Sequence, residues 1–312
     1  MPILAGVRPA PPPPAPQAYT QPAATWYAPD GTVWPLMTPD LGWVTIHSPR
    51  GLDDNPITIT SDPHPRGGTR HRHTQPQPRI ITWPIRVWGD TSAELLQRWR
   101  ALADAFMQTE DLGPGVLEVI RPGSTSPRHI RARYQGGFDD DLEYAAQRQA
   151  IITLYCEDPY WYDPTPVTIR REYAPGVDFL APYPSVSSSQ VLGGTTLHNP
   201  GHAIAWPTWT ITGPAAKVTA TLVATGESWE LDPTLVDGQL DLGDTVVIST
   251  DPPRIRYYPY SGDPQVWTGA INWPSAVLWG LPRGTSEVVF QVDAANEGTS
   301  ITLQFYARYR TT

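Results

Sequence analysis

Apolar positions in this chain mostly alternate in short runs, so most of it predicts β-strands. In residues 80–88, Ile81, Trp83, Ile85 and Val87 share one face, and Thr82, Pro84 and Arg86 share the other. Pro84 removes a ladder donor, which predicts an edge or bulged strand. Further strands are predicted over 115–122, over 128–138 and over 147–163. In the second of these Ile130, Ala132 and Tyr134 alternate with Arg131 and Arg133. In the third Ala150, Ile152, Leu154 and Cys156 share a face. One segment has helical period instead. Over 90–112 the residues Leu95, Leu96, Trp99, Leu102, Ala103 and Phe106 form one apolar stripe. Thr91 and Glu94 have capping-box spacing at its start, and Gly113-Pro114 punctuates its end. The first half therefore predicts an antiparallel α+β sheet with one packed helix.

After residue 190 no long helix is predicted. Alternating runs fall at 216–224, 244–250, 254–260, 286–293 and 300–310. Turn signals such as Asp237-Gly238 and Pro282-Arg-Gly284 separate them, which predicts a β-sandwich of about 130 residues. Three stretches lack periodicity. Residues 8–22 (RPAPPPPAPQAYTQP) predict a polyproline II arm, either a tether for a neighbouring subunit or a loose terminus. Residues 48–79 read as a long irregular loop rich in turn formers. Residues 173–190 have linker composition. The expected organisation is a proline-rich arm at 1–30, an α+β domain at 31–172, a linker at 173–190 and a sandwich at 191–312. The fold class as a whole is mainly β.

Composition narrows the function classes. The 37 prolines among 312 residues are more than twice the usual ~5%, which excludes a coiled coil or a long helical bundle. Net charge is −9, and Lys217 is the single lysine. Such an acidic chain makes a poor general nucleic-acid binder, because phosphate affinity needs clustered cations. One cysteine, Cys156, excludes an intrachain disulfide framework and a cysteine-based zinc site. There is no apolar stretch of about 18 residues and no apolar signal segment, so the expectation is no membrane span and folding in a cytoplasm.

Candidate chemistry is sparse. His64, His71 and His73 lie close in sequence, and a His-x-His pair can present two imidazoles on one side of a strand. Their neighbours Arg66, Arg70 and Arg72 repel a cation, so an interface loop is the plainer reading. Asp139, Asp140, Asp141 and Glu143 lack the spacing of a calcium loop and read as a charged turn. No nucleophile elbow or phosphate-cradling glycine loop occurs, so nothing anchors an enzyme, and no cofactor is expected. Residues 64–86 carry Arg66, Arg70, Arg72, Arg79 and Arg86 against no acid. Phosphate contact is one reading of these five. An inter-subunit salt-bridge surface is preferred, because arginine suits bidentate carboxylate pairs and the rest of the chain is acidic. In the sandwich, Leu197-His198-Asn199-Pro200-Gly201 and Leu278-Trp279-Gly280 share letters with a galectin sugar site. The arginine and glutamate such a site uses are missing, so the likeness reads as coincidence.

The order of these features resembles the distal tail protein family of siphophages, also called minor tail proteins. Four passages carry the resemblance: Gly51-Leu52-Asp53 before a long loop; PRIITWPIRVWG (78–89) running into the SAELLQRWRALADAF helix; Arg121-Pro-Gly123 and Arg133-Tyr134-Gln-Gly-Gly137 leading to CEDPYWYD (156–163); and a terminal series of NPGHAIAWPTWTITG (199–213), GDTVVIST (243–250), LWGLPRGTSEVVF (278–290) and YARYR (306–310). The resemblance implies a ring-forming α+β domain and a C-terminal galectin-like β-sandwich. It also implies a structural homohexamer joining the tail tube protein to the tail-tip or baseplate hub, with DNA passing through. That places the protein in the virion at the tail tip, and in host cytoplasm during assembly. It implies no enzyme activity, no sequence-specific nucleic acid and no membrane. The alternative is a carbohydrate-binding accessory module that contacts host cell-wall glycans through exposed sandwich aromatics.

Overall fold

The computed structural model describes residues 23–124, 126–139, 146–173, 189–273 and 275–312. Two hydrophobic cores organise them, as expected for a mainly β chain. The first unit contains strands β1 (Ala23–Tyr27), β2 (Val33–Pro35), β3 (Trp43–Thr45), β4 (Ile57–Pro63), β5 (Thr69–Pro76) and β6 (Arg79–Trp88). Helix α1 (Ser92–Met107) follows, then β7 (Gly115–Ile120), β8 (Arg128–Gly136), β9 (Gln147–Cys156) and β10 (Trp161–Tyr162). The main sheet runs β2-β1-β7-β8-β9-β6-β3, antiparallel throughout. It curls far enough that the Thr45 N–H donates to the Leu36 carbonyl at 3.0 Å, which brings the β2 and β3 ends together.

The alternating residues behave as their period requires. Ile81, Trp83, Ile85 and Val87 are buried, as are Ala150, Ile152, Leu154 and Cys156. α1 covers this face with Leu95, Trp99, Leu102, Ala105 and Phe106. Trp26 of β1 stacks on Phe106 at 4.6 Å between centroids and donates its indole N–H to the Ala105 carbonyl at 2.9 Å. The capping box forms with a shift of one residue. The Thr91 hydroxyl accepts from the Glu94 N–H, but the Glu94 carboxylate reaches the Asp90 N–H instead of that of Thr91. The helix ends at Met107, five residues before the expected stop, because Gln108–Leu112 continue only as turns. β6 lies one strand in from the edge; β3 pairs only with Ile85–Val87, so the missing donor of Pro84 falls beyond that ladder.

The second unit is a two-sheet sandwich. Its strands are β11 (Val167–Glu172), β12 (Ser189–Asn199), β13 (Thr208–Thr212), β14 (Lys217–Leu222), β15 (Glu227–Leu231), β16 (Thr245–Thr250), β17 (Pro253–Tyr258), β18 (Gln265–Val266), β19 (Gly284–Asp293) and β20 (Ser300–Phe305). One sheet runs β11-β20-β13-β16-β17-β18 and the other β12-β19-β14-β15. Trp209 sits at the centre of their shared core, edge-to-face with Trp229, Trp279 and Phe290.

Three expected boundaries need correction. Residues 23–30 belong to the first core rather than to an arm, since Trp26 is fully buried. Val167–Glu172 pair with β20 along their whole length, so the sandwich begins before the expected linker. The chain also leaves the sandwich after Phe305. Its last strand, β21 (Arg308–Tyr309), pairs with β10, and Ala307 and Tyr309 lie in the first core. The sandwich is therefore inserted between β10 and β21. Entry and exit run side by side, with Trp161 opposite Tyr309 and Val167 opposite Phe305. Residues 1–22 of the expected arm and 174–188 of the expected linker lie outside the described residues.

Two outcomes follow. Phe106→Ala should cost roughly 3–5 kcal/mol in denaturant unfolding, the usual penalty for deleting a fully buried aromatic ring. A fragment starting at residue 188 bares the β20 edge and should aggregate or melt lower than a fragment spanning 164–306. Light scattering and thermal melting of the two compare them directly.

Candidate assembly surface

The stretch expected to be an irregular loop contains a hairpin. Among the described residues β4 and β5 pair with each other and with no other strand. Its turn is built by Gly67 and Gly68, both in the left-handed region, with the Gly67 N–H donating to the His64 carbonyl at 2.9 Å. Almost every residue of both strands is exposed, including Ile57 at 50% and Ile59 at 59%. In sequence, Ile57 and Ile59 alternate with Thr58 and Thr60 over only four residues and β5 has no large apolar side chain, because neither strand has a buried face to fill. An isolated two-stranded hairpin is marginal in water, so such a ribbon is poised to be covered.

The hairpin gathers Arg66, Arg70 and Arg72 of the five candidate arginines, together with His64, His71 and His73. The register slips between Thr60 and Ser61. His73 faces Thr60 and His71 faces Ser61, so the two imidazoles point to opposite faces of the ribbon. That is a correction to the one-sided His-x-His geometry. His71 Nε2 instead lies 2.7 Å from the Thr74 hydroxyl. Arg72 Nε lies 2.6 Å from Asp62, an acid just outside the acid-free residues 64–86.

Arg79 does not belong with them, and its assignment to an inter-subunit surface is corrected. It is 1% exposed and its guanidinium is spent inside the chain. Nε donates to the Pro159 carbonyl at 2.8 Å, Nη1 to Gly51 and Leu52 at 2.7 Å each, and Nη2 to Arg310 at 2.7 Å. Burial lowers its pKa from the usual arginine range, opposed by nearby acids. Gly51 is required there: it adopts φ +82, and a Cβ would lie 2.0 Å from the Ile80 carbonyl oxygen. Arg86 is half-buried within β6, opposite Gln149 and Val44, away from the hairpin.

The other candidates fall into structural roles. Cys156 is buried, and desolvation pushes its thiol up to about 12. Asn199 is 1% exposed; its amide donates to the Ala203 and Leu281 carbonyls while its oxygen accepts from the Gly201 N–H. Trp279 is buried and donates to the Ala220 carbonyl at 3.2 Å. These two galectin-like letters are core and turn residues, with no face for a sugar. Among the described residues no group of three or more His, Cys, Asp or Glu could hold a metal ion. Asp140, Asp141 and Glu143 lie outside the described residues.

Sequence reasoning missed the joint between the units. The Arg128 guanidinium lies over the Tyr309 ring at 3.4 Å and pairs with Asp163, whose other oxygen accepts from the Tyr309 hydroxyl at 2.9 Å. Arg308 lies over Tyr160 and pairs with Asp158 at 2.6 Å. His202 packs edge-to-face on Tyr309, and burial, then Arg283, Arg310 and Arg128, keeps its pKa below the usual histidine value. The only signal was the alternation of residues 300–310, which ran past the sandwich into this joint.

The chain is a mainly β, two-unit protein in which an inserted sandwich is held on a helix-covered sheet. No family model matches it, and neither does any curated protein. Solved structures do. The Dit protein of SPP1, described as a paradigm of the hub adsorption apparatus in phages infecting Gram-positive bacteria, superposes with a TM-score of 0.61 at 15% identity. That match covers 93% of this chain and 99% of Dit. A chain of the phage P2 baseplate, in its activated conformation with calcium, gives 0.57 at 10% identity, covering 94% and 100%. The likeness is one of fold.

Arg79→Met removes the donor from the Pro159, Gly51 and Arg310 carbonyls, leaving only Leu52 with a second one from Trp161, and it should cost roughly 3 kcal/mol or more in urea unfolding. Arg66→Ala and Arg70→Ala, on the exposed ribbon, should stay within about 0.5 kcal/mol.

Proposed function

We propose that this chain is a structural component of a phage tail: a hub ring of identical copies, a homohexamer, that joins the tail tube to the tail tip or baseplate. The observation that carries this reading is the match in fold over nearly the full length of both this chain and the SPP1 hub protein. The bare β4–β5 ribbon supports it, because a ring of identical copies supplies a cover for an exposed element in every subunit. The net charge of −9 suits a conduit for DNA, since a strongly cationic bore would retain the polyanion. On this reading the first unit forms the ring, the sandwich is carried on it, and the role is not catalytic. The protein works in the virion after assembling in host cytoplasm.

Purified full-length protein should form closed six-membered rings in negative-stain images, with a matching mass by light scattering. Monomers alone, at high protein concentration in low and moderate salt, would count against the ring.

A further inference from the structure

Two surface patches of this chain carry opposite net charge. The first is one face of the hairpin. The pairing places Thr58, Thr60 and Asp62 with Gln75, His73 and Arg70 on that face, while Ile57 and Ile59 point the other way. Arg72, the extra residue at the register slip, reaches Asp62 on the same face, and Arg66 stands at the tip. Among the described residues Arg66 and Arg70 have no ion-pair partner, so a single acid, Asp62, meets three arginines.

The second patch is the C-terminal end of α1. Asp104 lies in the last turn, Glu110 and Asp111 directly follow, and Asp30 joins them from the β1–β2 turn. Gln108 Nε2 donates to Asp30 at 3.1 Å and to Asp104 at 3.3 Å, which holds these two carboxylates together. All four acids are exposed, and none has an ion-pair partner among the described residues. The helix terminus adds the negative end of its dipole; no basic residue occupies the last turn, and Arg133, which donates to the Thr109 carbonyl at 2.9 Å there, is itself paired with Glu157. Met107 at 42% and Leu112 at 62% are exposed beside them.

The pairing register puts both patches at one end of the sheet. Arg79, at the hairpin root, pairs with Cys156; the adjacent Tyr155 pairs with Arg133; Ala132 pairs with Gly115, and Val116 with Tyr27. That row runs from the hairpin root to the β1–β2 turn, four strands away. Within one chain the ribbon stays exposed and the patches do not meet. Side-by-side copies would bring one patch of each onto the other patch of the next, a head-to-tail contact that closes as a ring.

We propose that hairpin β4–β5 of one copy docks, through Arg66, Arg70 and Arg72, onto the acidic C-terminal end of α1 in the next copy. This rests on the assembly reading above and names the contact that closes it.

The buried native Cys156 leaves introduced cysteines as the reactive thiols. Arg70→Cys and Asp111→Cys proteins, mixed and oxidised, should give disulfide-linked dimers that neither variant gives alone. Arg66→Glu/Arg70→Glu should lose the oligomer at a concentration where the unaltered chain is assembled. Glu110→Arg/Asp111→Arg should do the same, and all four changes in one chain should restore it. Added salt should weaken the unaltered oligomer. An oligomer that survives both reversals and gives no mixed disulfide overturns this contact and leaves the ring standing. Loss with the hairpin reversal alone overturns the acceptor, because the ribbon then binds a different acidic surface. An unaltered chain that stays monomeric overturns the ring and the contact together.

Discussion

The Arg79 guanidinium is the interaction on which the rest of the molecule depends. A charge removed from water is costly unless it is fully paired, and here four carbonyls supply the pairing. Those carbonyls come from distant stretches: the loop before the hairpin, the turn after β9 and the returning terminus. Trp161 reinforces the arrangement, since its indole donates to Leu52 at 2.9 Å beneath the same guanidinium. Because Arg79 opens β6 and grips Gly51 and Leu52, the whole excursion that carries the hairpin is pinned at its neck. Because it also grips Arg310, the strand that returns from the sandwich shares that anchor. Hydrophobic burial builds each core; this polar knot sets how the exposed ribbon and the sandwich stand relative to the sheet.

Much of the architecture was legible because a buried face writes its period into the chain. The Ile81 to Val87 alternation, the α1 stripe and the paired runs of the sandwich all fall where they were read. An element without a buried face leaves little such mark: β4 alternates only over Ile57–Thr60 and β5 has no large apolar residue, so the pair reads as irregular loop. The same limit blurred the domain boundaries. Val167–Glu172 alternate weakly because this edge strand leaves most of its side chains in water. Residues 300–310 alternate without a break although they pass from one core into the other, since period reports burial and not the partner.

The candidate arginines show what a charge count conceals. Five were close in sequence, yet the fold buries Arg79, holds Arg86 within the sheet and exposes Arg66, Arg70 and Arg72 on the ribbon. Composition cannot separate a guanidinium that knots the interior from one that faces solvent, because both are simply arginine. The separation required knowing which carbonyls Gly51 and Leu52 turn inward. The Asn199 and Trp279 letters illustrate the same point from the apolar side: residue types suited to a ligand were consumed by a turn and a core.

The inserted sandwich has a mechanical consequence. Two backbone crossings, at β10–β11 and at β20–β21, join the units, and each is hydrogen-bonded alongside the other. A domain hung from one flexible linker swivels freely and transmits little torque. A two-stranded stem resists twisting and shares tension between two covalent paths. Force applied at the sandwich therefore reaches the sheet through a stiff lever whose foot lies at the Arg79 knot, so a pull on the outside of the molecule is felt at the base of the exposed ribbon.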